Sequence, residues 1–247
     1  MPSHKIRLDR LLVDQALAPT REKAAALILE GLVFVDGIRV DKAGTAVSTE
    51  ARIDVKGKLP YVGRGGQKLE AALTAFGIDP EGKVVLDTGA STGGFTDCLL
   101  QRGARRIYAV DVGYGQLDWR LRQDPRVLNF ERTHILKFDW RHPELLKEPV
   151  VMVTLDLSFI SLTKVLPLFH LHLPPGGIVL ALIKPQFEVG KGEVGKKGVV
   201  RDPEKQRKAV EKVTAFAEQL SFEVRGGVPS AILGQKGNQE FFIYLVK

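Results

Sequence analysis

One stretch constrains this chain more than any other: Val84-Val85-Leu86-Asp87-Thr88-Gly89-Ala90-Ser91-Thr92-Gly93-Gly94-Phe95. An apolar run of strand type meets an aspartate, then a turn of glycines and small residues, then Phe95-Thr96-Asp97-Cys98-Leu99-Leu100, which opens a helix. Glycines let the backbone turn tightly and approach a ligand, and the free N–H groups of a helix start favour a polar or anionic group. Such a strand-loop-helix unit points to an α/β sheet with a small molecule at its edge.

The dinucleotide fingerprint G-x-G-x-x-G is not met, because Gly89, Gly93 and Gly94 read G-x-x-x-G-G. NAD is therefore disfavoured. The pattern fits S-adenosylmethionine (SAM) methyltransferases, in which one acid ends the first strand and a second ends the next. Asp87 is the first, and Asp111 follows the strand-like run Arg106-Ile107-Tyr108-Ala109-Val110. A carboxylate there can accept both ribose hydroxyls. The expected cofactor contacts are Asp87, Gly89, Ala90, Ser91, Thr92, Gly93, Gly94, Phe95, Asp111 and Val112. The competing readings are a ligand-free turn and an Asp111 that caps the next helix.

From residue 83 onward strand-like runs fall near 83–87, 106–111, 127–130, 150–156, 177–184, 221–225 and 240–246, with helical patterns between most of them. This alternation predicts a mostly parallel, doubly wound sheet of Rossmann type. Residues 226–239 carry turn residues and no helical period, so the final strand is expected to run antiparallel to its neighbour. Asp156 and Lys184 then end apolar strands at the carboxyl edge, and Glu240 begins the last strand at that same edge. Lys68 lies in the first turn of a helix predicted over 67–76, where the macrodipole opposes a cation. Lys68, Asp156, Lys184 and Glu240 can converge beside the ligand loop, against the plainer reading of separate strand-end ion pairs.

The first 60 residues have their own punctuation. An amphipathic helix is predicted over 6–13, a second begins after Thr20 and closes at Gly31, and Val33-Phe34-Val35 and Arg39-Val40 flank Asp36-Gly37, a hairpin signal. This layout resembles the S4 RNA-binding domain over about residues 5–57, on Arg7-Leu8-Asp9, Thr20-Arg21-Glu22-Lys23-Ala24 and the run from Gly31 to Val40. The resemblance implies RNA phosphate contacts at Arg7, Arg10, Arg21, Lys23 and Lys42; locally, Arg7 and Asp9 can instead simply pair. Residues 59–66 read as a linker, which sets the expected division at 1–58, 59–66 and 67–247.

Charge and composition agree with this division. The net charge is +7, with nine Lys and Arg against five acids in 184–212, which suits a polyanionic partner. Arg64, Lys191, Lys196 and Lys197 are further expected RNA contacts. The stretch 190–196 satisfies G-x-x-x-x-G-K, but Lys197 replaces the Ser or Thr of a P-loop, and a mobile basic loop is the better reading. No apolar signal core and no long apolar span are visible, so a cytoplasmic protein is expected. Cys98, the lone cysteine, reads as a buried hydrophobe, and His170 and His172 do not share a helix face, so no metal site is expected.

The motifs Gly65-Gly66-Gln67-Lys68-Leu69, Asp87 to Thr96, Asp111-Val112-Gly113-Tyr114-Gly115-Gln116-Leu117, Asp156-Leu157-Ser158-Phe159-Ile160-Ser161 and Lys184-Pro185-Gln186-Phe187-Glu188-Val189-Gly190-Lys191-Gly192 together resemble the TlyA family. Its members join an S4 domain to an FtsJ-like, class I methyltransferase domain. The resemblance implies a catalytic set of Lys68, Asp156, Lys184 and Glu240, SAM as cofactor, and 2′-O-methylation of cytidine in ribosomal RNA, with ribosomal RNA or subunits as partners and a monomer as the expected state. Lys184 is either a neutral base or a cation that orients the hydroxyl. Two departures stand out: Gly63 where Ser is expected, and His134 near the expected adenine site. An idle RNA-binding factor and a membrane-lytic protein are the rival functions, the latter disfavoured by the lack of a span.

Overall fold

The computed structural model describes residues 5–29, 31–55, 60–190, 192–195, 198–234 and 236–247. The chain divides into two compact units, Met1–Leu59 and Pro60–Lys247.

The first unit runs β1 (Lys5–Arg7), α1 (Leu8–Asp14), α2 (Arg21–Leu29), β2 (Val33–Val35), β3 (Ile38–Arg39), β4 (Ala46–Ser48) and β5 (Ile53–Val55). Leu8, Leu11 and Leu12 of α1 meet Ala24 and Ile28 of α2 in a core closed by Val33 and Val47. Burying each such aliphatic side chain is worth about 1.5–3 kcal/mol. The amide of Lys23 donates to the Thr20 hydroxyl at 3.3 Å, so Thr20 caps α2. Asp36 and Gly37 take positive φ, 50° and 80°, as a two-residue hairpin between β2 and β3 requires. The helix expected over 6–13 starts later: Ile6 and Arg7 pair with Val47 and Ala46 of β4. A three-residue strand has too few positions to show a period, so its residues were absorbed into the helical pattern.

The second unit runs α3 (Arg64–Phe76), β6 (Val84–Thr88), α4 (Gly94–Gln101), β7 (Arg106–Val110), α5 (Trp119–Gln123), β8 (Val127–Phe130), α6 (Pro143–Lys147), β9 (Met152–Leu155), α7 (Leu166–His172), β10 (Ile178–Ile183), α8 (Pro185–Glu188), α9 (Pro203–Gln219), β11 (Glu223–Pro229) and β12 (Phe241–Val246). Seven strands form one sheet in the order β11-β12-β10-β9-β6-β7-β8. The pairs β10–β9, β9–β6, β6–β7 and β7–β8 are parallel, and β12 is antiparallel to both of its neighbours. Successive residues of β6 alternate between the two faces, Val84 and Leu86 into one core and Val85 into the other. The strand order reverses between β6 and β9, which is where an open α/β sheet leaves a crevice at its carboxyl edge.

The helix expected over 67–76 begins at Arg64, so Arg64, Gly65 and Gly66 are helical rather than linker. A Cβ added to Gly66 would lie 2.3 Å from Tyr61 Cγ, so this glycine leaves room for a neighbouring ring rather than breaking the helix. Lys68 consequently lies in the second turn, and the macrodipole argument against a cation there lapses. Gly63, the N-cap, offers no side-chain cap to this helix.

Candidate active site

The site is built where β6, β7 and β9 end. Asp87 is fully buried; its Oδ2 accepts from the Thr96 hydroxyl at 2.7 Å and its Oδ1 from the Thr154 hydroxyl at 2.9 Å. Burial pushes this carboxyl up to about 6 against the pull of those hydroxyls. Asp87, expected among the cofactor contacts, has no exposed surface and is not among the residues that line the cleft. It ties β6 to α4 and β9, and so holds the loop from beneath. Phe95 is likewise buried, with its ring stacked on Phe242 at 6.0 Å between centroids.

Above that support the loop turns at Gly89, φ 80°, where an added Cβ would lie 2.6 Å from the Asp156 carbonyl oxygen. Only glycine lets the β6 and β9 ends approach so closely. Asp111 Oδ2 accepts from the Ser91 amide at 2.8 Å and its Oδ1 from the Gly113 amide at 2.7 Å. This carboxylate therefore joins the loop after β6 to the loop after β7. Gly89, Ser91, Asp111 and Val112 line a cleft of about 630 Å³, whose far wall is formed by Thr133, His134 and the turn after β9. That volume is of the size that holds a nucleoside-bearing ligand. Ala90, Gly93 and Gly94 are buried under the loop, and Thr92 is exposed with its carbonyl accepting from the Asp118 amide. His134 Nδ1 accepts from the Leu136 amide at 3.2 Å, which fixes the ring at the cleft wall.

The four residues expected to act form two ion pairs. Lys68 Nζ donates to Glu240 Oε2 at 2.6 Å, and both side chains are largely buried. Lys184 Nζ lies 2.6 Å from Asp156 Oδ1, off the axis of a hydrogen bond, and donates to Ser158 Oγ at 3.1 Å. Ile183 is registered opposite Phe241, so Lys184 and Glu240 continue the β10–β12 ladder by one step. Antiparallel β12 thus delivers its first flanking residue to the edge where the parallel strands end.

Sequence reasoning missed several groups here. Thr154 and Ser158 engage Asp87 and Lys184, and Glu188 is buried with its carboxylate accepting from the Ser161 hydroxyl at 2.5 Å and the Leu162 amide at 2.7 Å. Glu188 follows Lys184 by one helical turn, a spacing that could have flagged it. Phe159, with φ 65° and 91% exposed, stands at the cleft.

Arg7, Arg10, Arg21, Lys23 and Lys42 are all in the first unit, where Arg7 and Arg21 pair with Asp9 and Arg10 lies 4.0 Å from Asp14. Arg64 opens α3 and donates to the Leu233 carbonyl at 3.0 Å. Lys191, Lys196 and Lys197 lie outside the described residues. Among the described residues no cluster of metal ligands occurs, and no helix is long and apolar enough to cross a membrane.

The FtsJ-like methyltransferase family model matches residues 61–247, and the S4 domain model matches residues 6–53. The chain belongs to the FtsJ-like methyltransferases of the S4-bearing TlyA type. The methyltransferase is 44% identical to the 16S/23S rRNA (cytidine-2′-O)-methyltransferase TlyA of Mycobacterium tuberculosis over 98% of this chain and 90% of that protein. It is 38% identical to Hemolysin A of Brachyspira hyodysenteriae over 98% of this chain and 100% of that protein. A solved structure from Streptococcus thermophilus, 44% identical, superimposes with a TM-score of 0.74 over 98% of this chain and 88% of that one.

Proposed function

We propose that this protein is a SAM-dependent 2′-O-methyltransferase that modifies a ribose, of cytidine, in ribosomal RNA of the cytoplasm, with the first unit recruiting the RNA. The observation that carries the reading is the Lys184–Asp156 pair, 2.6 Å apart, at the edge of the Asp111 cleft. The named activity of the Mycobacterium tuberculosis relative supports the choice of cytidine.

SAM, when bound, supplies a methyl group on a positively charged sulfur. Asp111 is the residue to accept from the ribose hydroxyls, and Gly89 and Ser91 form the floor under the cofactor. Val112, exposed at the cleft, offers an apolar face to the adenine. Lys184 orients the acceptor 2′-oxygen and offsets its developing negative charge, while Asp156 and Ser158 hold the ammonium in place. Lys184 would hold that oxygen for in-line transfer of the methyl group, with S-adenosylhomocysteine as the leaving group and solvent water taking the hydroxyl proton. Phe159, 91% exposed and tilted against the Phe187 ring at 5.1 Å between centroids, presents an open face on which an unstacked base can rest.

The test is incorporation of labelled methyl from SAM into ribosomal RNA, with 2′-O-methyl sites mapped in cells with and without the protein. The expected result is one or a few protein-dependent ribose methylations at cytidine. Binding of RNA without any transfer would establish the idle-binder reading instead.

A further inference from the structure

In the first unit the buried charge among the described residues is Asp9, 4% exposed. Its Oδ1 accepts from Arg7 Nε at 3.0 Å, and its Oδ2 accepts from Arg7 Nη2 at 2.8 Å and from Arg21 Nη2 at 3.0 Å. Arg7 ends β1 and Arg21 begins α2, so one carboxylate on α1 collects cations from two other elements. The guanidiniums share an oxygen, and their side chains stay 56% and 57% exposed. The same point of the fold anchors the turn that carries Lys42: the Asp9 amide donates to the Ala43 carbonyl at 3.0 Å, and the Leu8 amide to the Thr45 carbonyl at 2.8 Å.

Two guanidiniums at this spacing repel each other unless an anion sits between them. The hydrogen bond from Arg7, first among several causes, holds the Asp9 carboxyl far below the usual carboxylate range, so the anion persists wherever the protein folds. Arg7 spends one edge, Nε and Nη2, on Asp9 and Arg21 spends Nη2 alone, which leaves their other N–H groups for an outside acceptor. An oxyanion arriving at the surface therefore meets two planar forks already held in position, which spares it the cost of ordering two long side chains.

We propose that Asp9 is a positioning residue for RNA binding: it sets Arg7 and Arg21 as a two-pronged clamp for backbone phosphate. The inference rests on the RNA-recruiting role proposed for the first unit. It makes a prediction opposite in sign to simple electrostatics. Asp9→Asn raises the net charge of the chain by one, which should tighten binding to a polyanion, whereas loss of the clamp should weaken it.

The experiment measures binding of the full chain to ribosomal subunits purified from cells lacking the protein, over a salt series. It compares the parent with Asp9→Asn, with Arg7→Ala/Arg21→Ala, and with all three changes together. Asp9→Asn is expected to weaken binding about tenfold. The double variant is expected to weaken it and to flatten the salt dependence by about 0.9 per lost phosphate contact for duplex-like sites. The triple variant should match the double variant, because Asp9 acts only through the two arginines. Tight binding by Asp9→Asn beside weak binding by the double variant overturns the clamp while leaving RNA recruitment intact. Parent-like binding by the double variant sinks the clamp and the recruiting role together. A triple variant weaker than the double by the same factor as Asp9→Asn means that Asp9 supports the fold alone, and the proposal falls. Should Asp9→Asn unfold the first unit, Arg7→Lys/Arg21→Lys decides: it keeps both charges and Asp9 but loses the planar forks, and undiminished binding overturns the proposal.

Discussion

Lys68 and Glu240, 172 positions apart, are joined by a hydrogen bond of 2.6 Å between largely buried side chains. Removing one partner leaves the other charge enclosed and unpaired. Lys68→Met is therefore expected to cost about 3–5 kcal/mol of stability in addition to activity. Lys68→Met with Glu240→Leu should recover most of that stability in urea unfolding yet transfer no methyl. Recovery of transfer in the double variant would show that the pair is only structural.

Asp111 and Lys184 are expected to fail in different ways. Asp111 accepts from the Ser91 and Gly113 amides, so Asp111→Ala loosens two cleft loops and removes the ribose acceptor. Lys184 faces Asp156 and Ser158 instead. Calorimetric titration should find SAM affinity reduced at least tenfold in the first variant and nearly unchanged in Lys184→Ala, which nonetheless loses transfer. Equal loss of SAM affinity in both would overturn this division of roles.

Asp87 carries a pH dependence whose sign follows from its burial. Its carboxyl is raised from 3.8 to about 6 in the fold. The protonated form is the one the fold prefers, so its stabilising contribution is full below the unfolded value and is lost as pH rises through about 6. The difference, about 2 pH units, corresponds to roughly 3 kcal/mol. Asn can replace it because the Thr96 and Thr154 hydroxyls can each donate or accept. Melting temperatures from pH 4 to 8 should show Asp87→Asn gaining on the parent protein between about 4 and 6, then holding a constant lead. A difference that is flat with pH would contradict this account.

Glu188 holds the turn after β9 by accepting from the Ser161 hydroxyl and the Leu162 amide. Glu188→Ala leaves these two donors and Lys212 Nζ, 3.4 Å from Oε2, without that acceptor and costs about 1–3 kcal/mol. Glu188→Gln keeps a carbonyl oxygen for the Leu162 amide and should retain most of the stability. Because this turn bears Ser158, turnover should fall more than SAM affinity in the Ala variant. Unchanged turnover despite the stability loss would limit Glu188 to a structural part.

The regular parts of this molecule were legible because burial imposes a period on sequence. Val127–Phe130 is a strand over the residues expected, and the antiparallel final strand followed from the non-helical stretch before it. Lys184 and Asp156 could be placed because apolar strands ended on them. Short or irregular pieces carried no such signal: β1, β4 and β5 have three residues each. Gly226, Gly227 and Pro229 read as breakers, yet all lie in β11, an edge strand with an irregular register between Val224 and Gly226. An edge strand tolerates residues that a central one does not. The Arg64-Gly65-Gly66 segment misled for the opposite reason, since its glycines serve packing against Tyr61 and Phe95 within a helix. Ser158, Thr154 and Glu188 were hidden because a single polar side chain in a loop or strand reveals its partner only in three dimensions.

The position of β12 between β10 and β11 fixes an order of events during synthesis. Translation supplies Lys68, Asp156 and Lys184 long before Glu240, and β11 has no partner in the sheet until β12 arrives. The strand that completes the sheet is preceded by Glu240, so completion of the sheet and formation of the Lys68–Glu240 pair coincide. Until its last strand is made, a growing chain lacks both the β10–β12 pairing and the partner of Lys68.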